Sequence, residues 1–322
     1  MVFEEVEEVP VIPSVASWGA KFSGVPLKDL IINPEPIVRA QINAQKAVGY
    51  DALFAYIDPL YIPEAFGCPL VFLSSGPDVS PLPIKSEEDV RALSIPDLRK
   101  DGRLPLILNV AGDLVRFPER QVPVLGLVEG PFTTASRILS AERMMRDLIR
   151  NGSMVERMIE KAGELLSRFG RALGETGVDG LIVADPVSSS TMISPKIYRD
   201  MVLPHLRRFI ESLPMPTLLH VCGDTRPILN LMADTGARIL SLDQCMDLAE
   251  AKETLAGRCG IGGNVDPIQV LFLGTPEDVK KETLKCLNQG GKKGYILMAG
   301  CAVPAGTPIE NLKAMVEVAR KA

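Results

Sequence analysis

The stretch LLHVCGD, residues 218–224, holds one of only two histidines in the 322-residue chain, with a cysteine two places further on. At the end of a strand, His220 and Cys222 would project from the same face, because side chains alternate with a period of two. An imidazole and a thiol that converge in this way are donors suited to a borderline-soft ion such as Zn²⁺. Two donors alone do not make a site, and a free cysteine is often no more than a small buried hydrophobe. Two further residues stand at comparable places: Asp243 ends the run RILSLD, and Cys301 directly follows GYILMAG. Together the four offer one nitrogen, two sulfurs and one oxygen to a tetrahedral zinc, with the oxygen as the weak member.

Positioning such a set requires elements whose ends meet. Eight apolar, β-rich runs alternate with helical patterns: PVIPSV, DALFAYI, VPVLGLV, VDGLIVA, PTLLHV, RILSLD, CGIGGNV and GYILMAG. Several are almost continuously apolar, as strands covered on both faces must be. The alternation predicts a parallel sheet, and eight repeats favour a (β/α)₈ barrel over a doubly wound sheet. The segment from Ala141 to Leu173 reads as two helices joined at Asn151–Gly152. Thr275-Pro-Glu-Asp and Thr307-Pro-Ile-Glu read as helix starts, the second with Glu310 completing a capping box. Without a low-complexity linker or internal repeat, the expectation is one domain over residues 1–322, with an acidic extension at 1–9.

In a barrel, active sites collect where strands end. Asp58, Glu129 and Asp185 follow expected strands and Asn264 stands at the end of one, and all four are candidates for contact with substrate or cofactor. Helix capping or loop hydrogen bonding is the plainer reading of each. The serine-rich VSSSTMIS, residues 187–194, has the same two readings. His205 is expected on a helix facing its neighbours or solvent, and Cys245, Cys259 and Cys286 are expected to be structural. GIGGNVDP lacks the spacing of a phosphate loop.

Composition removes whole classes of function. A net charge of −5 leaves no basic stripe for nucleic acid, and five tyrosines, ten phenylalanines and one tryptophan offer few stacking platforms. The start of the chain lacks the basic and apolar regions of a signal peptide, and no apolar run approaches the roughly 18 residues of a membrane span. Six scattered cysteines suit a reduced, cytoplasmic protein better than a disulfide framework.

HVCGD, SLDQ and MAGCAVPAGTPIENLKAM, together with the upstream GYDALFAYIDP and VEGPFTTAS, carry a resemblance that runs from about Pro10 to the C-terminus. They resemble the uroporphyrinogen decarboxylase superfamily, in particular its corrinoid-dependent methyltransferase branch, typified by methylcobamide:coenzyme M methyltransferases. The resemblance implies a distorted (β/α)₈ barrel and zinc held by His220, Cys222 and Cys301, with Asp243 where an acid completes the shell. It also implies methyl transfer from a methylcobamide, carried on a separate corrinoid-binding protein, to a small thiol acceptor such as coenzyme M. Departures argue against decarboxylation. WGAKFSGVPL has no arginine-rich motif to grip substrate carboxylates, Arg137 stands where the decarboxylases have a tyrosine, and Cys301 stands where they have a histidine. Only Asp58, in YIDP, matches their essential aspartate, which marks it as a catalytic candidate. The customary first helix is replaced by the acidic MVFEEVEEVP. Two alternatives remain open. One is a corrinoid-dependent demethylase acting on a methoxylated or methylated substrate, or using tetrahydrofolate as acceptor. The other is a non-catalytic barrel that binds a tetrapyrrole or corrinoid protein.

Overall fold

The computed structural model describes residues 5–73 and 76–322. In chain order its strands are β1 (Leu53–Phe54), the pair β2 (Leu70–Leu73) and β3 (Gly76–Val79), then β4 (Val124–Glu129), β5 (Gly180–Ala184), β6 (Thr217–His220), β7 (Ile239–Ser241), β8 (Gly260–Val265) and β9 (Tyr295–Ala299). Seven of them form one parallel sheet in the order β1-β4-β5-β6-β7-β8-β9, while β2 and β3 make a separate antiparallel hairpin. The sheet curls, with helices packed around its outside, into the expected barrel-like α/β architecture. Buried side chains from every layer join in one apolar cluster.

The run PVIPSV, expected as the first strand, forms only a bridge at Val11. Its backbone nevertheless stitches the two sheet edges together. The Ile12 amide donates to Leu297 O (2.9 Å), Leu297 N donates to Pro10 O (2.9 Å), and Asp51 N, just before β1, donates to Val11 O (2.8 Å). Pro10 and Pro13 bracket the segment and lack the amide hydrogens that a longer ladder would need. The glycine-rich CGIGGNV, by contrast, is a fully buried six-residue strand.

Helix boundaries follow the local chemistry in most places. Helices Ala141–Arg150 and Gly152–Glu175 divide at Asn151 as expected. Thr275 caps helix Pro276–Gly290 in a box closed by Asp278. Thr307 does not cap the last helix, which runs Ile309–Lys321 without a side-chain cap. It is buried instead, and its carbonyl accepts from Trp18 Nε1 (2.8 Å) and Lys21 Nζ (3.1 Å). Long-range packing of the only tryptophan therefore overrides the expected capping box. No helix among the described residues is long and apolar enough to cross a membrane.

Alternation along the strands separates two faces. Leu127, Ile182, Leu218 and Met298 line an internal cavity, while their neighbours Val128, Val183, Leu219 and Leu297 are fully buried in the apolar cluster. One helix on the barrel wall, Pro131–Leu139, starts at Gly130 and so has no capping side chain of its own. Asp185, just past β5, supplies the acceptor: its Oδ1 takes hydrogen bonds from Thr133 N (2.8 Å) and Thr133 Oγ1 (2.5 Å). The carboxyl is fully buried with Oδ2 unpartnered, and burial raises its pKa to about 7 despite the two Thr133 donors.

A pKa raised above the unfolded value means that this group contributes stability in full below about pH 4, and that the contribution is lost as pH rises through 7. Asp185→Asn keeps the acceptor and removes the titration. The stability difference, wild type minus Asp185→Asn, should therefore fall between pH 5 and pH 8 in urea unfolding. A pH-independent difference would show that the buried carboxyl does not titrate in this range.

Candidate metal centre

Parallel pairing sets the cavity's upper row. Glu129 pairs with Ala184, Ala184 with His220, and His220 with Ser241. All four face a cavity of about 420 Å³ at the C-terminal ends of the strands. Leu218, His220 and Cys222 follow one another at a spacing of two, and all three line it, so the inward face of β6 continues past the end of the strand.

Cys222 is followed by a turn in which Gly223 takes φ +77°, a left-handed conformation that a side chain would strain. The Gly223 amide donates to Asp243 Oδ2 (2.8 Å), while Asp243 Oδ1 accepts from Cys245 N (3.1 Å). Ser189 Oγ donates to the Cys222 carbonyl (2.6 Å), and Ser190 Oγ donates to Asp224 O. The serine-rich run thus satisfies the backbone of the neighbouring loop. On the other side, Gly300 passes so close to the β7 loop that a Cβ would lie 2.4 Å from Gln244 N. Only glycine permits that approach, and Cys301 follows it directly.

These loops bring His220, Cys222 and Cys301 together. One ligand atom from each lies within 4.8 Å of the other two, and among the described residues this is the one cluster of three or more such groups that could hold a metal ion. His220 Nε2 lies 3.1 Å from Cys222 Sγ, and the two sulfurs are 3.6 Å apart. Tetrahedral zinc with bonds of roughly 2.0–2.3 Å requires ligand–ligand edges of about 3.5–3.8 Å, so the set is almost at coordination spacing. His220 Nδ1 faces the Ser241 carbonyl (3.3 Å) and hydroxyl (3.2 Å). A carbonyl can only accept, so Nδ1 carries the hydrogen and Nε2 turns a lone pair to the sulfurs. The Cys301 thiol is held well below its usual range chiefly by the hydrogen bond from Cys222, against burial, while Cys222 is pushed up by the same bond and by burial. Two sulfurs that accept one negative charge readily and resist a second suit a divalent cation between them.

The other expected site residues divide. Asp58 lines the cavity, but both of its oxygens are engaged by Arg103, at 2.6 and 2.9 Å, and Arg103 also binds Glu64 at 2.5 Å. Glu129 lines the cavity and pairs with Arg137 (3.0 Å), while burial, opposed by Arg137, raises its pKa. Asp185 and Asn264 lie behind the wall: Asp185 caps a helix, and the Asn264 amide donates to the Asp243 and Met246 carbonyls (2.9 and 2.7 Å). Asn264 therefore braces the loop that holds Asp243. Asp243 lies next to the three-ligand cluster without joining it. His205 is buried in helix Leu203–Glu211. Cys259 and Cys286 are buried, and Cys245 is exposed. Sequence reasoning gave no role to Arg137 beyond its departure from a tyrosine, and none to Asp78 on β3. Both line the cavity, and they pair at 3.1 Å. The one available signal was the placement of Arg137 eight residues after Glu129, two helical turns into the following helix.

A family model described as uroporphyrinogen decarboxylase matches residues 2–322. The chain is 30% identical over 287 residues to the methylcobamide:CoM methyltransferase MtaA of Methanosarcina barkeri, covering 88% of this chain and 84% of that one. It is also 31% identical over 304 residues to a uroporphyrinogen decarboxylase of Thermus thermophilus, covering 91% and 86%. A solved methyltransferase structure from Methanosarcina mazei superposes with a TM-score of 0.91 at 28% identity, over 99% of this chain and 95% of that one. Identity alone does not separate the two activities among these relatives, at 30% to a methyltransferase and 31% to a decarboxylase. The chain belongs to the uroporphyrinogen decarboxylase family, in the branch that contains the methylcobamide:coenzyme M methyltransferases.

Proposed function

We propose that the protein is a zinc-dependent methyltransferase that moves a methyl group from a methyl-corrinoid, presented by a separate corrinoid-binding protein, to the sulfur of a small thiol. The observation that carries this reading is the convergence of His220, Cys222 and Cys301 in one wall of a small cavity. Zinc held by these three residues would keep an incoming thiol deprotonated at neutral pH, where a free thiol is mostly protonated and a poor nucleophile. The S–C bond forms as the Co–C bond breaks, and the thiol proton leaves to solvent.

The chain's own contribution is placement. Ser241 fixes the His220 tautomer, and Asp243 anchors the Gly223 amide beside Cys222. Asp243 is also the acid nearest to hand for a weak fourth ligand, since a carboxylate oxygen that accepts an amide hydrogen keeps a second lone pair. Leu127, Ile182, Leu218 and Met298 exclude water from the reacting sulfur. At about 420 Å³, the cavity suits a small molecule and leaves a corrinoid macrocycle at the mouth. The hairpin strand β2 exposes Phe72 and Leu73, and the segments that follow β5 and β8 expose Met192, Ile268, Phe272 and Leu273, apolar side chains of a kind suited to a protein carrier. The thiol-activating donor set favours this reading over transfer from a methoxylated substrate or to tetrahydrofolate, and over a non-catalytic barrel.

Purified protein should contain about one zinc per chain, as a single three-ligand site implies. Cys222→Ala and Cys301→Ala should each lose the metal while keeping the wild-type circular dichroism spectrum. Full metal retention by both variants, measured by elemental analysis, would remove the site.

With methylcobalamin and a small thiol, the zinc-loaded enzyme should release cob(I)alamin and the S-methyl product, which an absorbance assay and mass spectrometry follow. Uroporphyrinogen should remain unchanged under the same conditions. Formation of coproporphyrinogen would reverse the choice of activity.

A further inference from the structure

The six cysteines differ in reach and in company. Cys68, Cys259 and Cys286 are buried, and Cys245 is exposed with no second cysteine sulfur beside it. Cys222 and Cys301 are half-buried, line the cavity, and face each other with 3.6 Å between their sulfurs. A small solute that enters the cavity therefore meets two thiols at once, in contact with each other and 79 residues apart in the chain.

The main chain on either side of the pair is held, while the side chains are not. On one loop, Ser189 Oγ donates to the Cys222 carbonyl (2.6 Å), and the Gly223 amide is tied to Asp243 (2.8 Å). On the other, Gly300 N donates to Val265 O and Val303 N to Ser14 O, both at 2.9 Å, which leaves Cys301 between two fixed points. A disulfide needs its sulfurs at about 2.05 Å, so each must travel less than about 1 Å if the approach is shared. Rotation about the two Cα–Cβ bonds can supply that much without moving either loop. The same spacing therefore serves two states. Apart, the sulfurs stand at the edge length of a metal tetrahedron; joined, they have each lost the negative charge that binds a cation.

We infer that Cys222 and Cys301 are a redox modification site, which a hydroperoxide closes into a disulfide with loss of the bound cation and which a dithiol reopens. One thiolate attacks the peroxide, the O–O bond breaks, and the products are a sulfenic acid and hydroxide, which takes a proton from solvent to become water. The second thiolate attacks the sulfenic sulfur, the S–S bond forms as the S–O bond breaks, and the hydroxide released takes a second proton. Two electrons pass from the sulfurs to the peroxide. His220 alone then remains of the three ligands, too few to hold a divalent ion. The disulfide needs only the geometry of the pair and is independent of the reaction catalysed, whereas metal release rests on the three-ligand site proposed above.

The test uses protein stripped of metal by a chelator and protein loaded with zinc, each treated with hydrogen peroxide, unfolded, alkylated and analysed by mass spectrometry. Two of the six cysteines should become closed to the alkylating label, and digestion should return the Cys222 and Cys301 peptides joined. In the loaded protein, about one zinc should reach a colorimetric chelator for each disulfide formed, as a single site requires. Dithiothreitol followed by zinc should restore both the thiols and the metal. Cys245→Ser should behave as wild type, while Cys222→Ser and Cys301→Ser should form no disulfide within the chain. Six labelled thiols after peroxide, a bond made through Cys245, or sulfinic acids at 222 and 301 in place of the joined peptides would each overturn the modification site. A disulfide that forms while zinc stays bound would overturn the coupling to metal release. Joined peptides from a protein that never takes up zinc would uphold the modification site and end the metal reading.

Discussion

Parallel register fixes the row Glu129, Ala184, His220 and Ser241 at one level of the barrel, and the chemistry above it is built on that row. A one-residue slip of β6 would turn His220 and Cys222 outward together, because the two share a face. The small Ala184 between Glu129 and His220 leaves the cavity open at that level, with an acid–arginine pair on one side and the nitrogen–sulfur cluster on the other. Ser241, next in the row, sets the ring of His220 by hydrogen bonding to Nδ1.

Around this row, several polar groups that a sequence presents as chemistry are committed to holding loops. Asp243 grips the amides of Gly223 and Cys245, Asn264 grips the carbonyls of Asp243 and Met246, and Ser189 holds the Cys222 carbonyl. Asp58 is locked by a forked pair of hydrogen bonds to Arg103. Such a network costs desolvation, but it narrows the positions that Cys222 can take, and metal-ligand geometry tolerates little wandering.

The relatives show why whole-chain similarity is a poor guide to activity here. Identities of 30% to a methyltransferase and 31% to a decarboxylase are nearly equal, because one fold carries both activities and function lives in the site grafted on it. In the function proposed above, the chemistry rests on the few residues that face the cavity. A thiol at 301 supplies a soft donor where an imidazole would not, and a guanidinium at 137 fixes a charge where a phenol would not.

The sequence by itself determined the barrel architecture, the shared face of His220 and Cys222, and four donors at strand ends, of which the structure gathers His220, Cys222 and Cys301. These follow from local rules: period-two alternation, alternating strand and helix patterns, and donor types that are rare elsewhere in the chain. Glycine-rich β8 was a weaker reading, because three of its six residues are glycines with little strand preference, and burial on both faces in the sheet is what makes it a strand. What only the tertiary structure decided were the partners of side chains distant in sequence. Nothing local says that Asp58 meets Arg103 across 45 residues, that Asp185 caps a helix 52 residues upstream, or that Trp18 takes the carbonyl of Thr307 across 289. Nor does β3, lying between β1 and β4 in the chain, announce that it will bring Asp78 to Arg137 over the cavity. A carboxylate at a strand end has the same local signature whether it contacts substrate, caps a helix or pairs with an arginine, because its role is set by which donor the fold brings within about 3 Å of it.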